Sequence, residues 1–193
     1  MSESDDDADA SAMRRLRDGD DLALNEIMTR WEVRVTGFLL RLTGNAAVAG
    51  DLAEETFVRV YQNRATYRDN GTFAAWLFAI ATNLARHHAR WQLRHPAVSL
   101  DEEDPQGRRL REAVDDESPP DDSAEARERS EAVRSAVQAL PHDLREAVVL
   151  FEYEDLSHQE IARIAGCSPK AVETRLYRAR RFLRESLAQW LPA

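Results

Sequence analysis

The chain has 193 residues, 43% of them apolar, and a formal net charge of −9. That allows one ordinary domain or two small ones with limited cores, and excludes a large enzyme fold. A single cysteine, Cys167, excludes an internal disulfide framework and a metal site built on two or more thiolates.

The acidic start, MSESDDDADASAMRR, lacks the apolar run of a secretory signal, and apolar stretches such as AAWLFAIA are too short to span a bilayer. A soluble, cytoplasmic protein with no membrane insertion is expected. Residues 1–12 hold five acids and no base, and the segment 1–19 reads as an acidic, disordered N-terminal tail. Four segments with helical periodicity follow: Asp20–Arg30, Trp31–Thr43, Ala46–Arg64 and Thr72–Leu93. In the last of them Phe73, Leu77, Ile80 and Leu84 recur at i, i+4, i+7 and i+11, a stripe expected to be buried. A second face carries Trp76, Asn83, Arg86, His87 and Arg90, which mixes aromatic, amide and cationic groups. Periodicity alone leaves a plainer reading open, with Trp76 in the core and its neighbours merely solvated.

Residues 96–123 break the pattern. Between Ser99 and Glu125 eleven acids stand against Arg108, Arg109 and Arg111, and Pro119-Pro120 interrupts a stretch with little apolar content. Such a segment cannot bury enough surface to offset its ordering entropy, and it reads as an acidic flexible linker. The two acidic segments carry −5 and −8, which leaves +4 for the rest of the chain. After the linker, Glu125–Ala139, His142–Glu154, His158–Ala165 and Pro169–Trp190 are again helical in pattern. The fold class is therefore all-α, with two small helical domains at 20–95 and 124–193.

The end of the second domain carries the sharpest local signal. Ser157 with Glu160 forms a capping box ahead of HQEIARIA, Gly166 supplies a tight turn, and Ser168 with Pro169 caps a second helix at once. Helix, short turn and helix is the helix-turn-helix arrangement. On its second helix Val172, Leu176, Ala179 and Leu183 share one face, while Lys170, Thr174, Tyr177 and Arg181 lie opposite, flanked by Glu173 and Arg178. Short polar side chains near the N-terminus suit base edges, and guanidinium groups further along suit phosphates. Catalysis finds no comparable footing: His87, His88, His142 and His158 stand in separate contexts without a paired carboxylate or nucleophile. No enzyme, metal or cofactor is expected.

The motifs DLAEETFVRVYQNR (51–64), FAAWLFAIATNLARHHAR (73–90) and LPHDLREAVVLFEYEDLSHQEIARIAGCSPKAVETRLYRARRFL (140–183) resemble, in order, conserved regions two and four of bacterial RNA polymerase sigma factors of the extracytoplasmic-function group. The resemblance implies that 20–95 docks on core RNA polymerase and melts the minus-10 promoter element, and that 124–193 reads the minus-35 element. Asp51, Glu54 and Glu55 match the acidic motif that meets the beta-prime clamp coiled coil, with the beta subunit as a further contact. Trp76 and Asn83 match the minus-10 helix, with Arg86, His87 and Arg90 beside them, and the loop that holds Tyr67 and Asn70 sits where an extruded base is received. Glu173, Thr174, Tyr177 and Arg178 match the minus-35 readers, joined by Ser168, Lys170 and Arg181. Promoter DNA and core polymerase are the implied partners, and an anti-sigma factor is a further one that the family allows. The linker would thread the polymerase's basic RNA channel, its carboxylates imitating RNA charge. Its 28 residues extend to about 90 Å, enough for elements about 70 Å apart on duplex. The alternative is a stand-alone helix-turn-helix regulator, which would bind a palindrome as a dimer without polymerase.

Overall fold

The computed structural model describes residues 3–68, 71–95 and 124–190. Asn70 and the linker 96–123 lie outside the described residues. The chain divides into two units, Met1–Val114 and Asp115–Ala193. All regular structure among the described residues is helical.

The first unit begins with a correction. Glu3–Arg17 is a helix (α1), where composition predicts a disordered tail. Acid-rich composition hides an apolar stripe in which Ala12, Met13 and Leu16 are buried together with Ala10. One of the acids is itself interior: Asp9 is only 1% exposed. Its Oδ1 accepts from Arg30 Nε at 2.8 Å and its Oδ2 accepts from the Trp31 indole N–H at 2.9 Å. A buried carboxylate survives only when paired and hydrogen-bonded, and here both oxygens are satisfied.

Leu22–Thr43 (α2) is one helix through the expected break at Trp31, and Trp31, Val35, Phe38, Leu39 and Leu42 stay buried along it. Gly44 ends it at φ 72°, a left-handed turn that glycine adopts without a Cβ penalty. Ala46–Gln62 (α3) starts at Asn45, whose side chain accepts from the Val48 N–H at 3.1 Å. A 3₁₀ turn, Arg64–Thr66, leads to Phe73–Arg94 (α4), capped by the Thr72 hydroxyl. The buried stripe of α4 differs from the expected one. Phe73, Ala74, Leu77, Phe78, Ala81, Thr82 and Ala85 are buried, whereas Ile80 and Leu84 are half-buried. The buried face is rotated about the helix axis toward Ala74, Phe78, Ala81 and Ala85, which carries Ile80 and Leu84 to its edge. α2 packs on α3 and α4, α3 packs on α4, and α1 covers α2 and α4. At the centre Trp31 meets Phe73 and Phe78 edge-on, with ring centroids 5.5 and 5.9 Å away.

The second unit comprises Ala124–Gln138 (α5), His142–Val148 (α6), a π-helical turn at Val149–Tyr153, His158–Ala165 (α7), Pro169–Ser186 (α8) and a final 3₁₀ turn, Ala188–Trp190. α6 and α7 both pack against α8, and α5 touches it more lightly. Arg145 ties α6 back to the end of α5, donating to the carbonyl of Gln138, to the carbonyl of Leu140 at 3.1 Å and to Gln138 Oε1 at 3.0 Å. No helix among the described residues is long and apolar enough to cross a membrane.

Replacing Asp9 by Ala leaves the Trp31 N–H without an acceptor and Arg30 without its partner, a loss of about 1–3 kcal/mol. Hydrogen exchange of the α1 amides is expected to quicken about tenfold to a hundredfold, while amides of α7 and α8 keep their wild-type rates.

Candidate nucleic-acid interface

The helix-turn-helix is built by its caps. Ser157 Oγ accepts from the Glu160 N–H at 3.3 Å, and Glu160 Oε2 accepts from the Ser157 N–H at 2.9 Å, which closes the capping box of α7. Gly166 at φ 62° ends α7 in a left-handed turn, and the next amide, of Cys167, donates to the Ala162 carbonyl at 3.0 Å. Ser168 Oγ then accepts from the Ala171 N–H at 3.2 Å, with Pro169 in the first turn of α8. Val172, Leu176 and Ala179 are buried, at no more than 2% exposure, and seat α8 against its unit, while Leu183 is only half-buried.

The outer face of α8 presents Lys170, Glu173, Thr174, Tyr177, Arg178 and Arg181, all exposed, with Tyr177 at 68%. Several of these groups are already engaged with each other. Lys170 Nζ sits 2.8 Å from Glu173 Oε2, and Thr174 Oγ1 donates to the Lys170 carbonyl at 2.9 Å. The hydrogen bond from Lys170 holds the Glu173 carboxyl below the usual carboxylate range, and the same bond raises the Lys170 ammonium. Ser168 spends its hydroxyl on the cap. Arg181 lies 4.0 Å from Glu185. A groove of about 290 Å³ opens beside α8, lined by His158, Tyr177, Arg180, Arg181 and Arg184 among others. His158, Arg180 and Arg184 are additions to the sequence reading. Arg180 is anchored by Glu152 at 2.8 Å and lies over the Phe151 ring at 5.3 Å, partners 28 and 29 residues away that no local spacing reveals.

In the first unit, Asp51 and Glu54 are exposed on α3, with Ala53, Phe57 and Val60 buried on its other side. Glu55 is half-buried and holds Arg59 Nε at 2.7 Å, so part of its charge is already satisfied. Asp51 and Glu54 have no ion-pair partner among the described residues. On α4, Asn83, His87 and Arg90 are exposed, and Trp76 and Arg86 are half-buried. Tyr67 is 7% exposed, packed edge-on to Trp76 at 5.0 Å and to Phe73 at 6.1 Å. Its ring completes the aromatic cluster that Trp31 begins.

Residues 27–94 match the family described as Sigma-70 region 2, and residues 130–183 match Sigma-70, region 4. The chain is 38% identical to the RNA polymerase sigma factor CarQ of Myxococcus xanthus over 177 residues, 92% of this chain and 96% of that protein. It is 30% identical to the ECF RNA polymerase sigma-E factor of Escherichia coli (strain K12), over 89% of this chain and 90% of the relative. Its fold is like that of the sigma factor RpoE in a co-crystal with the anti-sigma factor NepR from Bartonella quintana, with a TM-score of 0.68 and 21% identity over 85% of this chain and 96% of that one.

Removing the charge of Lys170 by Lys170→Gln takes away the donor that stabilises the Glu173 carboxylate. The Glu173 titration is therefore expected to move up, toward the ordinary glutamate value, in an NMR pH titration of the side-chain carboxyl. In the wild type, the favourable contribution of the pair is present above the unfolded glutamate pKa and disappears as pH falls through the depressed one.

Proposed function

Because the chain belongs to the sigma-70 family, as a sigma factor of the extracytoplasmic-function group that binds core RNA polymerase and directs it to promoters, we propose that its contacts divide among three faces. The observation that carries the division is the exposure of three chemically distinct helix faces, each within a family region: carboxylates on α3, an amide-and-cation row on α4, and a mixed polar face on α8.

Asp51 and Glu54 supply the polymerase-docking charge, with Glu55 in a lesser share because Arg59 already holds it. On α4, Asn83, His87 and Arg90 meet the minus-10 strand, Arg86 lies alongside, and Trp76 presents a ring that Tyr67 braces from below. On α8, Glu173 reads a cytosine amino group once Lys170 leaves it for a phosphate, while Tyr177 and Arg178 contact neighbouring bases and backbone. Exchange of the Lys170–Glu173 pair for DNA contacts replaces one charge-assisted bond with another, so the surface does not carry an unpaired charge in either state. Sigma factors are not themselves catalysts, and no reaction is assigned to these residues. The stand-alone regulator has no specific observation in its favour.

Three outcomes are expected on this division. The purified factor is expected to bind duplex promoter DNA weakly in a gel-shift titration, and addition of core polymerase to give specific binding that falls with salt; tight binding to a palindrome without polymerase would sink the proposal. Asp51→Arg with Glu54→Arg is expected to reduce capture of core polymerase in a pull-down at least tenfold with helical content unchanged, since like charges then meet. Glu55→Gln is expected to cost less than threefold in the same assay.

A further inference from the structure

A carboxylate is a poor device for merely holding α1 on α2. An ion pair taken out of water stabilises little more than an apolar pair of the same volume, because desolvation offsets the attraction. What it adds is direction. Asp9 is 1% exposed, and its Oδ1 lies 2.8 Å from Arg30 Nε and 2.6 Å from Arg30 Nη2. These contacts fix the carboxylate and aim Oδ2 at the Trp31 indole N–H, which donates to it at 2.9 Å. Hydrogen bonds are directional where apolar contacts are not, so this one sets how the indole is turned. Arg34 covers the same ring, its guanidinium carbon 5.2 Å from the centroid.

A chain of aromatic contacts starts at that ring. Trp31 meets Phe73 at 5.5 Å, Phe73 meets Trp76 at 5.9 Å and Tyr67 at 6.1 Å, and Tyr67 closes on Trp76 at 5.0 Å. Of these four rings Trp31, Tyr67 and Phe73 are buried, and Trp76 is half-buried, so the group reaches solvent through Trp76. A close-packed interior passes a displacement on instead of absorbing it. α1 also reaches the same place by a second route. It packs against the 3₁₀ turn Arg64–Thr66, and Tyr67 is the next residue. Both members of the Tyr67–Trp76 pair are thereby tied to α1, a helix that precedes the residues 27–94 matched to region 2 and has no part in the three faces above.

We infer that Asp9 is a positioning residue for minus-10 recognition: by orienting the Trp31 indole it holds the Trp76 ring ready to stack on a base of the opened strand. This rests on the assignment of Trp76 to the minus-10 surface. The test titrates reconstituted holoenzyme onto fluorescent unpaired minus-10 strands, one intact and the others each abasic at one position. The abasic strand that wild type binds most weakly defines a ratio of intact to abasic affinity. A factor that is only less well folded loses affinity for both strands in proportion and leaves the ratio unchanged. Asp9→Ala is expected to lower the ratio about threefold to tenfold, part of the value of one base stacked on an aromatic ring. Capture of core polymerase through the distant α3 face is expected to stay within about twofold of wild type. Trp31→Phe keeps an aromatic ring and the Asp9–Arg30 pair but has no N–H to be held, and it is expected to lower the ratio as well. Asp9→Asn keeps an oxygen that accepts from the indole, and its ratio is expected to stay within about twofold of wild type. Trp76→Ala is measured in parallel. A wild-type ratio in Asp9→Ala or in Trp31→Phe, with a lowered ratio in Trp76→Ala, overturns the inference and leaves the minus-10 assignment standing. Asp9→Asn as poor as Asp9→Ala overturns it too, since the indole bond would then not be what matters. A wild-type ratio in Trp76→Ala removes the assignment on which the inference rests.

Discussion

Everything that the first unit presents to solvent depends on where Trp31 is held. Its N–H is fixed by the buried Asp9 carboxylate, and its ring meets Phe73 and Phe78 edge-on, the arrangement that an aromatic quadrupole favours. One side chain thereby joins α1, α2 and α4. Phe73 passes the constraint on to Trp76, at 5.9 Å, and Tyr67 closes the cluster from the other side. The rotation of α4 about its axis is set by these contacts, and with it the direction in which Asn83, His87 and Arg90 face. The exposed polar row of α4 is thus oriented by an aromatic cluster in which Trp76 is the member that adjoins it.

The second unit reaches the same end with shorter elements. α7 has eight residues, too few to persist alone, and it survives because both ends are capped and Ile161, Ala162 and Ile164 are buried. The left-handed turn at Gly166 then sets the angle at which α8 leaves. Charge is handled locally. Most acids of the chain lie outside the two cores, while the cations of α8 are each set beside a carboxylate or left at the rim. An acidic molecule can therefore approach an acidic partner through two mildly basic faces, with the repulsion displaced to other segments.

Much of this is legible from residue order alone, where the determining physics is local. The caps of α7 and α8, the glycine turn and the buried face of α8 follow from spacings of three and four residues, and the structure has them there, with Leu183 alone of that face half-buried. Contacts between distant residues were not legible. Asp9 reads as one more acid in an acidic run, and nothing nearby announces that Arg30 and Trp31, 21 and 22 residues on, will enclose it. Tyr67 reads only as one residue of a loop, and its packing against Phe73 and Trp76 follows from no local spacing. Arg180 is one arginine of several until Glu152 is brought beside it. For α4, periodicity identified a stripe through Ile80 and Leu84, whereas the buried face runs through Phe78, Ala81 and Ala85 because the neighbouring helices α1, α2 and α3 lie on that side.

The separation of faces on α8 has a consequence for how such a protein changes over time. Val172, Leu176 and Ala179 seat the helix and the two serine caps start α7 and α8, so the outward residues contribute little to holding the unit together. If these residues read the promoter as proposed, substitutions among them are filtered by the promoter sequence and hardly at all by folding. A duplicated gene can then drift to a new set of target genes through a handful of exposed codons while its product still folds and still engages the same transcription machinery. Paralogues that diverge in this way would keep their interiors nearly constant, and the regulatory network would expand faster than the architecture that supports it.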